Sequence, residues 1–256
     1  MERPLILISN DDGYDSKGIG YLTEFLHDMA DIIICAPDGA RSGYSRAFSS
    51  VPPLYLTRHD DMMGAQVWSC NGTPVDCVKM ALSQITPQRT PDMVLGGINH
   101  GDNSTVNNHY SGTVGVAMEG CMKYIPSIAF SSCNYNPNAD LSHLRHYVRM
   151  IVTRVLTDGL PKGVCLNVNF PDADSFRGLK LCRMGFGSWI NEVEVRQHPR
   201  GGKYYWMVGE YRDDEPTATD NDRWALNHGY VAVTPVKMDV TDYDMLNTLK
   251  HWEEQL

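Results

Sequence analysis

The run Leu5-Ile6-Leu7-Ile8 is apolar at every position. A strand built from it has no face to give to water, so it has to lie inside a sheet covered on both sides. Doubly covered sheets are mostly parallel, and parallel neighbours need crossover helices. The next segments supply them. KGIGYLTEFLHDMA carries Ile19, Leu22, Phe25 and Leu26 at helical spacing, and DIIICAP is a second apolar run. Together these pieces predict a right-handed β-α-β unit. PDMVLGGIN, IPSIAFSS and GVCLNVNFP repeat the strand pattern further on. Between them, Thr73, Pro74 and Asp76 compose an N-cap, a first-turn proline and a capping box, and Ser111 caps SGTVGVAMEGCMKY. Residues 140–157 read as an amphipathic helix. The fold class is therefore α/β: a Rossmann-like, mostly parallel sheet flanked by helices.

After Pro171 the pattern changes. LKLCRM, NEVEVRQ and KYYWMVGEY read as antiparallel strands, with Gly201-Gly202 as a turn. A polar stretch, TATDNDRWALNHGYVAVTPV, and an amphipathic final helix, TDYDMLNTLKHWEEQL, follow. The expected organisation is a Rossmann-like core over residues 1–172. A β-hairpin arm and C-terminal helix over 173–256 complete the same domain. The arm exposes Tyr204, Tyr205 and Trp206, so it either joins a second copy of the chain or folds back on its own core.

Composition narrows the partners. The 256 residues and 42% hydrophobic content suit one large α/β domain or two small ones. A formal net charge of −9 disfavours a nucleic acid polymer or an anionic membrane as partner. The seven cysteines are odd in number and form no CxxC, so reduced thiols and a cytoplasmic location are expected. The N-terminal MERPLILISND has the wrong pattern for a signal peptide, and no run approaches the roughly 20 apolar residues of a membrane helix.

The first strand ends in ISNDDG. Adjacent carboxylates repel each other and resist leaving water, so Asp11 and Asp12 at the end of a buried strand call for a cation. A lone DD before Gly is ordinarily a solvated turn; here the buried strand behind it shifts the balance. Ligands of doubly wound sheets collect at the C-terminal strand ends. This sequence puts Asp38, Arg41, Ser42 and Ser45 after strand two, Gly96, Gly97 and Asn99 at strand three, and Ser111-Gly112-Thr113 at a helix start. These are mainly hard oxygen donors, suited to Mg²⁺ or Mn²⁺. A helix opening with SGT also offers N–H groups to a phosphate. A metal beside a phosphate cradle predicts phosphoryl hydrolysis by metal-activated water. His100 and His109 lie nearby as general-acid candidates, although loop histidines are mostly solvated.

ISNDDG, APD…RSG, GTPVDCVKMAL, GGINHGDN, YSGTVGVAMEG, IPSIAFS, LNVNFP and GYVAVTP stand in the order found in the stationary-phase survival protein SurE family. The chain resembles that family over nearly its whole length. The resemblance implies the SurE fold, with a swapped arm and assembly as a homodimer or homotetramer. It also implies a metal-dependent 5'-nucleotidase with 3'-nucleotidase activity besides; some members of the family act on short polyphosphate as well. The substrate is then a nucleoside monophosphate and the cofactor one divalent ion, Mg²⁺ or Mn²⁺. Carried over position by position, the metal ligands are Asp11, Asp12, Ser42 and Asn99. Asp11, Asp12 and Asn99 are also catalytic, and Ser111, Gly112 and Thr113 bind phosphate. Where family members often carry Gly and Asp before YSGT, this chain has Thr105 and Asn107, so no acid of that loop is given a role. The GARSGYSRAF loop also departs from the commonest form, which leaves base preference open.

Two other readings use the same residues. A haloacid dehalogenase-like phosphatase has a DxD pair whose first Asp is the nucleophile. Here the pair ending at Asp12 begins with Asn10, and the one beginning at Asp11 ends in Gly13. A non-catalytic mononucleotide sensor needs the phosphate cradle but not four oxygen ligands.

Overall fold

β1 (Leu5–Ser9) is buried at all five positions, as its composition demands. It is followed by α1 (Lys17–Leu26), β2 (Asp31–Pro37), β3 (Leu56–Met62), β4 (Ala65–Cys70) and α2 (Pro74–Met80). Next come β5 (Met93–His100), α3 (Gly112–Met122), β6 (Ser127–Ser132), α4 (Arg145–Asp158) and β7 (Val164–Phe170). The carboxy-terminal part adds β8 (Leu179–Leu181), β9 (Gly187–Ile190), β10 (Val193–Gln197), β11 (Lys203–Met207) and β12 (Glu210–Asp213). It closes with α5 (Asp222–Asn227), β13 (Val231–Lys237) and α6 (Tyr243–Thr248). This is a computed structural model that describes residues 3–255. Met1, Glu2 and Leu256, at the outer ends of the two expected spans, lie outside the described residues.

One sheet has the order β3-β4-β2-β1-β5-β6-β7-β13-β8. Strands β4, β2, β1, β5, β6 and β7 run parallel; β3 is antiparallel to β4, and β13 is antiparallel to β7. Ile6 and Ile8 pack with Leu22, Phe25, Phe130 and Val148 on the α1/α4 side. Leu5 and Leu7 pack with Cys35, Val78 and Val116 on the α2/α3 side. Both faces of β1 are thus covered. The chain leaves β1 for β2 on one side and later returns to β5 on the other, so the order reverses between β1 and β5. A crevice opens at that switch point.

The local signals hold well. Thr73 caps α2 with a full capping box to Asp76 and Pro74 in the first turn, and Ser111 caps α3. Gly201-Gly202 turns between β10 and β11, which are antiparallel. Three expectations change. LKL, read as antiparallel, forms β8 and pairs parallel with β13. GYVAVTPV, read as part of a polar stretch, contributes β13 and extends the main sheet beside β7. The final amphipathic helix shortens to α6 and continues as a 3-10 turn over Leu249–Gln255. In the first two cases strand pairing across long sequence separation decides the outcome, and no local pattern records it.

Packing at the crevice depends on one close approach. A Cβ added at Gly18 in α1 would stand 2.0 Å from the Ile98 carbonyl oxygen of β5, next to Asn99. At Gly20, on the same helix, it would meet nothing within 4 Å. We expect Gly18→Ala to lower Tm by about 3–10 °C, because the clash is with backbone. Gly20→Ala should be neutral or slightly stabilising, as helix propensity favours alanine. Thermal melts of the two variants beside the wild type check both signs.

Candidate active site

The chain turns sharply at the end of β1. Asn10 is fully buried; its Oδ1 accepts from the Gly13 N–H (3.1 Å) and its Nδ2 donates to Ser16 Oγ (2.6 Å). Gly13 takes a positive φ of 118°, which only glycine adopts readily. Asn10 is therefore spent on the turn, and the turn delivers Asp11 and Asp12 to the crevice.

Asp11 is buried against the start of α3. Thr113 Oγ1 donates to its Oδ1 in a short hydrogen bond. Gly112 allows the approach, since a Cβ there would lie 2.8 Å from Asp11 Cβ and 3.0 Å from Oδ2. Burial raises the Asp11 carboxyl to about 6; the Thr113 hydroxyl and the Gly112 N–H pull it down, and the neighbouring Asp12 charge pushes it up. A carboxylate held this way is short of positive charge.

Asp12 reinforces the shortage. Its Oδ2 is buried without a hydrogen-bond partner. The nearest basic atom is His100 Nδ1 at 3.8 Å, too far for a hydrogen bond, and His100 Nε2 is likewise buried and unpartnered. β5 brings in the third donor. The β5–β6 register shifts between Gly96 and Asn99, and a side chain at Gly97 would strike the Phe130 carbonyl at 2.3 Å. Such bulges re-aim side chains. Asn99 Nδ2 donates to the Gly101 carbonyl (2.9 Å), which leaves Oδ1 as a free acceptor.

Asp11, Ser42, Asn99, His100 and Ser111 line one cleft of about 270 Å³. Asp12 opens on an adjoining hollow of about 430 Å³, and His100 and Tyr135 border both. Ser42 is exposed, on a loop anchored by the Arg41 N–H to the Asp11 carbonyl (2.6 Å). Of the expected phosphate cradle, Ser111 reaches the cleft, while Gly112 and Thr113 are buried beneath it with Thr113 committed to Asp11. Ser111 Oγ also accepts from Val114 N (3.1 Å), its capping role. A larger hollow of about 570 Å³, beside Leu5, Asp31 and Ala65, opens at the opposite end of the sheet and lacks a pair of adjacent acids.

Among the described residues no group of three or more His, Cys, Asp and Glu side chains is arranged to hold a metal. A cation here has to draw on two acids plus neutral oxygens. The orphan Asp12 Oδ2, the charge-starved Asp11 and the free Asn99 Oδ1 fit a hard divalent ion. Sequence reasoning missed Tyr135 and Trp189, which also line the cleft. Both are aromatic residues among many, and nothing local marks them. It also left Asn107 without a role, although this side chain joins the cleft wall to β9.

Thr113 orients Asp11 from behind, so Thr113→Val should weaken Mn²⁺ affinity by about 10–100-fold while keeping the helix volume. Isothermal titration calorimetry with Mn²⁺ reads this directly; an unchanged affinity removes Thr113 from the metal's support.

A sequence profile of the family described as Survival protein SurE matches residues 6–191. The 5'-nucleotidase SurE of Phocaeicola vulgatus is 54% identical over 251 residues, covering 98% of this chain and 97% of that protein. That of Bacteroides fragilis is 46% identical over 252 residues, covering 98% of each. The crystal structure of the SurE protein from Aquifex aeolicus superposes with a TM-score of 0.84 at 36% identity, covering 98% of this chain and 100% of that one.

Proposed function

The chain belongs to the survival protein SurE family, and on that premise we propose that it hydrolyses nucleoside monophosphates to nucleoside and phosphate. The reading is a 5'-nucleotidase that also accepts 3'-nucleotides. The observation that carries it is the adjacent Asp11 and Asp12 at the switch point, one charge-starved and the other with an unpartnered buried oxygen, facing the start of α3.

Asp11, Asp12, Ser42 and Asn99 would hold one divalent ion, Mg²⁺ or Mn²⁺. When bound, that ion supplies charge neutralisation at the phosphoryl group and acidifies a water for attack. The chain's own residues do the rest. Thr113 fixes the Asp11 carboxylate in one orientation. Asn99 presents Oδ1 to the site because its amide nitrogen is tied to Gly101. Ser111 stands at the cleft, and the N-terminus of α3 offers positive field where the phosphoryl oxygens gather charge. Asn10 is buried and hydrogen-bonded at both ends of its side chain, so it takes no part in the chemistry.

A cytoplasmic setting belongs to the same reading. All seven cysteines are free, and no described helix is long and apolar enough to cross a membrane. Assembly as a homodimer or homotetramer is supported by the exposed apolar side chains of β10 and β11, Val193, Val195, Tyr205, Trp206 and Met207 among them.

The test is phosphate release from a panel of nucleoside monophosphates, first with EDTA, then with Mg²⁺ or Mn²⁺ restored. Release should require metal. Asp11→Asn should lower kcat by about 100-fold or more with the fold intact, and Ser42→Ala by less, since a neutral hydroxyl is the weaker ligand. Near-normal turnover in Asp11→Asn overturns the ligand assignment. Folded protein that releases no phosphate with either metal points to a mononucleotide sensor.

A further inference from the structure

The cleft does not end at its acids. Trp189, on β9, and Tyr135, in the loop after β6, line it together with Asp11, Asn99 and Ser111. Tyr135 is 68% exposed, and its ring lies against Gly101: a Cβ there would stand 3.0 Å from Tyr135 Cε1. Trp189 is half-buried and held in place. Its Nε1–H donates to Asn107 Oδ1 at 2.8 Å. Its ring meets Tyr211, its cross-strand partner on β12, edge-on at 6.2 Å between centroids. Tyr211 in turn carries the Arg223 guanidinium 4.6 Å from its ring centroid, and Arg223 pairs with Asp102 at 2.7 Å.

Indoles at ligand sites act through their faces or through the N–H. Here the N–H is already satisfied by the protein, so Trp189 offers the cleft only hydrocarbon and π surface. Such a surface does not read the hydrogen-bonding edge of a base. It binds bases by stacking, in proportion to ring area and with tolerance of identity.

Resting on the nucleotidase reading above, we infer that Trp189, oriented by Asn107 and flanked by Tyr135, is the nucleobase platform of this cleft. Adenine and guanine should then be discriminated weakly. Asn107 is a positioning residue: it acts through the indole rather than on the substrate.

The comparison that isolates the base is AMP against ribose 5-phosphate, which keeps the phosphate and sugar. In Trp189→Ala the ratio of kcat/KM for AMP over ribose 5-phosphate should fall by about 5- to 100-fold, mainly through KM for AMP. Trp189→Phe should retain most of the ratio, because a phenyl ring still stacks. An equal loss on AMP and ribose 5-phosphate in Trp189→Ala overturns the platform. A second readout does not depend on turnover. Adenosine added to metal-free protein should quench tryptophan fluorescence, and that component should vanish in Trp189→Phe; quenching that survives there overturns the inference. Absence of phosphate release from every substrate in the wild type counts against the nucleotidase reading, while the adenosine titration still decides the platform.

Discussion

The site rests on the contact between Asp11 and the start of α3. A carboxylate inside a protein is expensive unless its charge is met. Thr113 and the Gly112 N–H meet part of it, and burial still leaves the carboxyl at about 6. The contact exists because position 112 is glycine; any side chain there would occupy the space of Asp11 itself. One glycine therefore sets how deeply the acid is buried and how much of the helix terminus it uses. Asp12, one residue on, has no such partner. The pair is asymmetric: one acid is fixed and the other is left open towards the crevice.

The strands around this contact are arranged by equally close approaches. Gly18 brings α1 onto the Ile98 carbonyl, and Gly97 lets β5 pass Phe130 at a register shift. Both act on the two residues before Asn99. Gly96, another β5 residue, faces the Thr113 carbonyl at 2.4 Å from a notional Cβ, so the same strand touches the helix that holds Asp11. Asn99 and Asp11 thus belong to one packed unit of backbone. The apolar core on both faces of β1 makes that unit rigid, since packed interiors have few alternative arrangements.

Much of this was legible because it is encoded locally. The apolar run of β1, the capping box at Thr73 and the cap at Ser111 each depend on a few adjacent residues. Asp11 and Asp12 stood out because a buried strand leads into them. Ser42 did not stand out by itself; an exposed serine before glycine reads as a turn, and only the family resemblance singled it out. The β13 strand was hidden for a different reason. It carries Pro235 and follows a polar stretch, and its partner β7 ends some 60 residues earlier. The division of labour at α3 was also illegible: Thr113 reads as phosphate ligand in sequence, yet its hydroxyl is turned to Asp11 in the structure.

Asn107 shows how a departure from a family pattern can be understood physically. Its Nδ2 donates to the Asp102 carbonyl at 3.1 Å while its Oδ1 accepts from Trp189 Nε1 at 2.8 Å. An amide does both at once; a carboxylate, which only accepts, would set its charge against the carbonyl. The amide therefore links the loop after β5 to β9, across 82 positions of sequence. Two further ties run the same way. Asp222 accepts from the Thr105 N–H at 2.9 Å, and Arg223 pairs with Asp102. Thr105 has a positive φ of 51°, uncommon for a β-branched residue, and the Asp222 bond holds it there. The loop that follows β5 is thus clamped by residues from the carboxy-terminal third of the chain. A site whose acids come from the turn after the first strand is finished by the last third of the sequence, which is why neither part could be read alone.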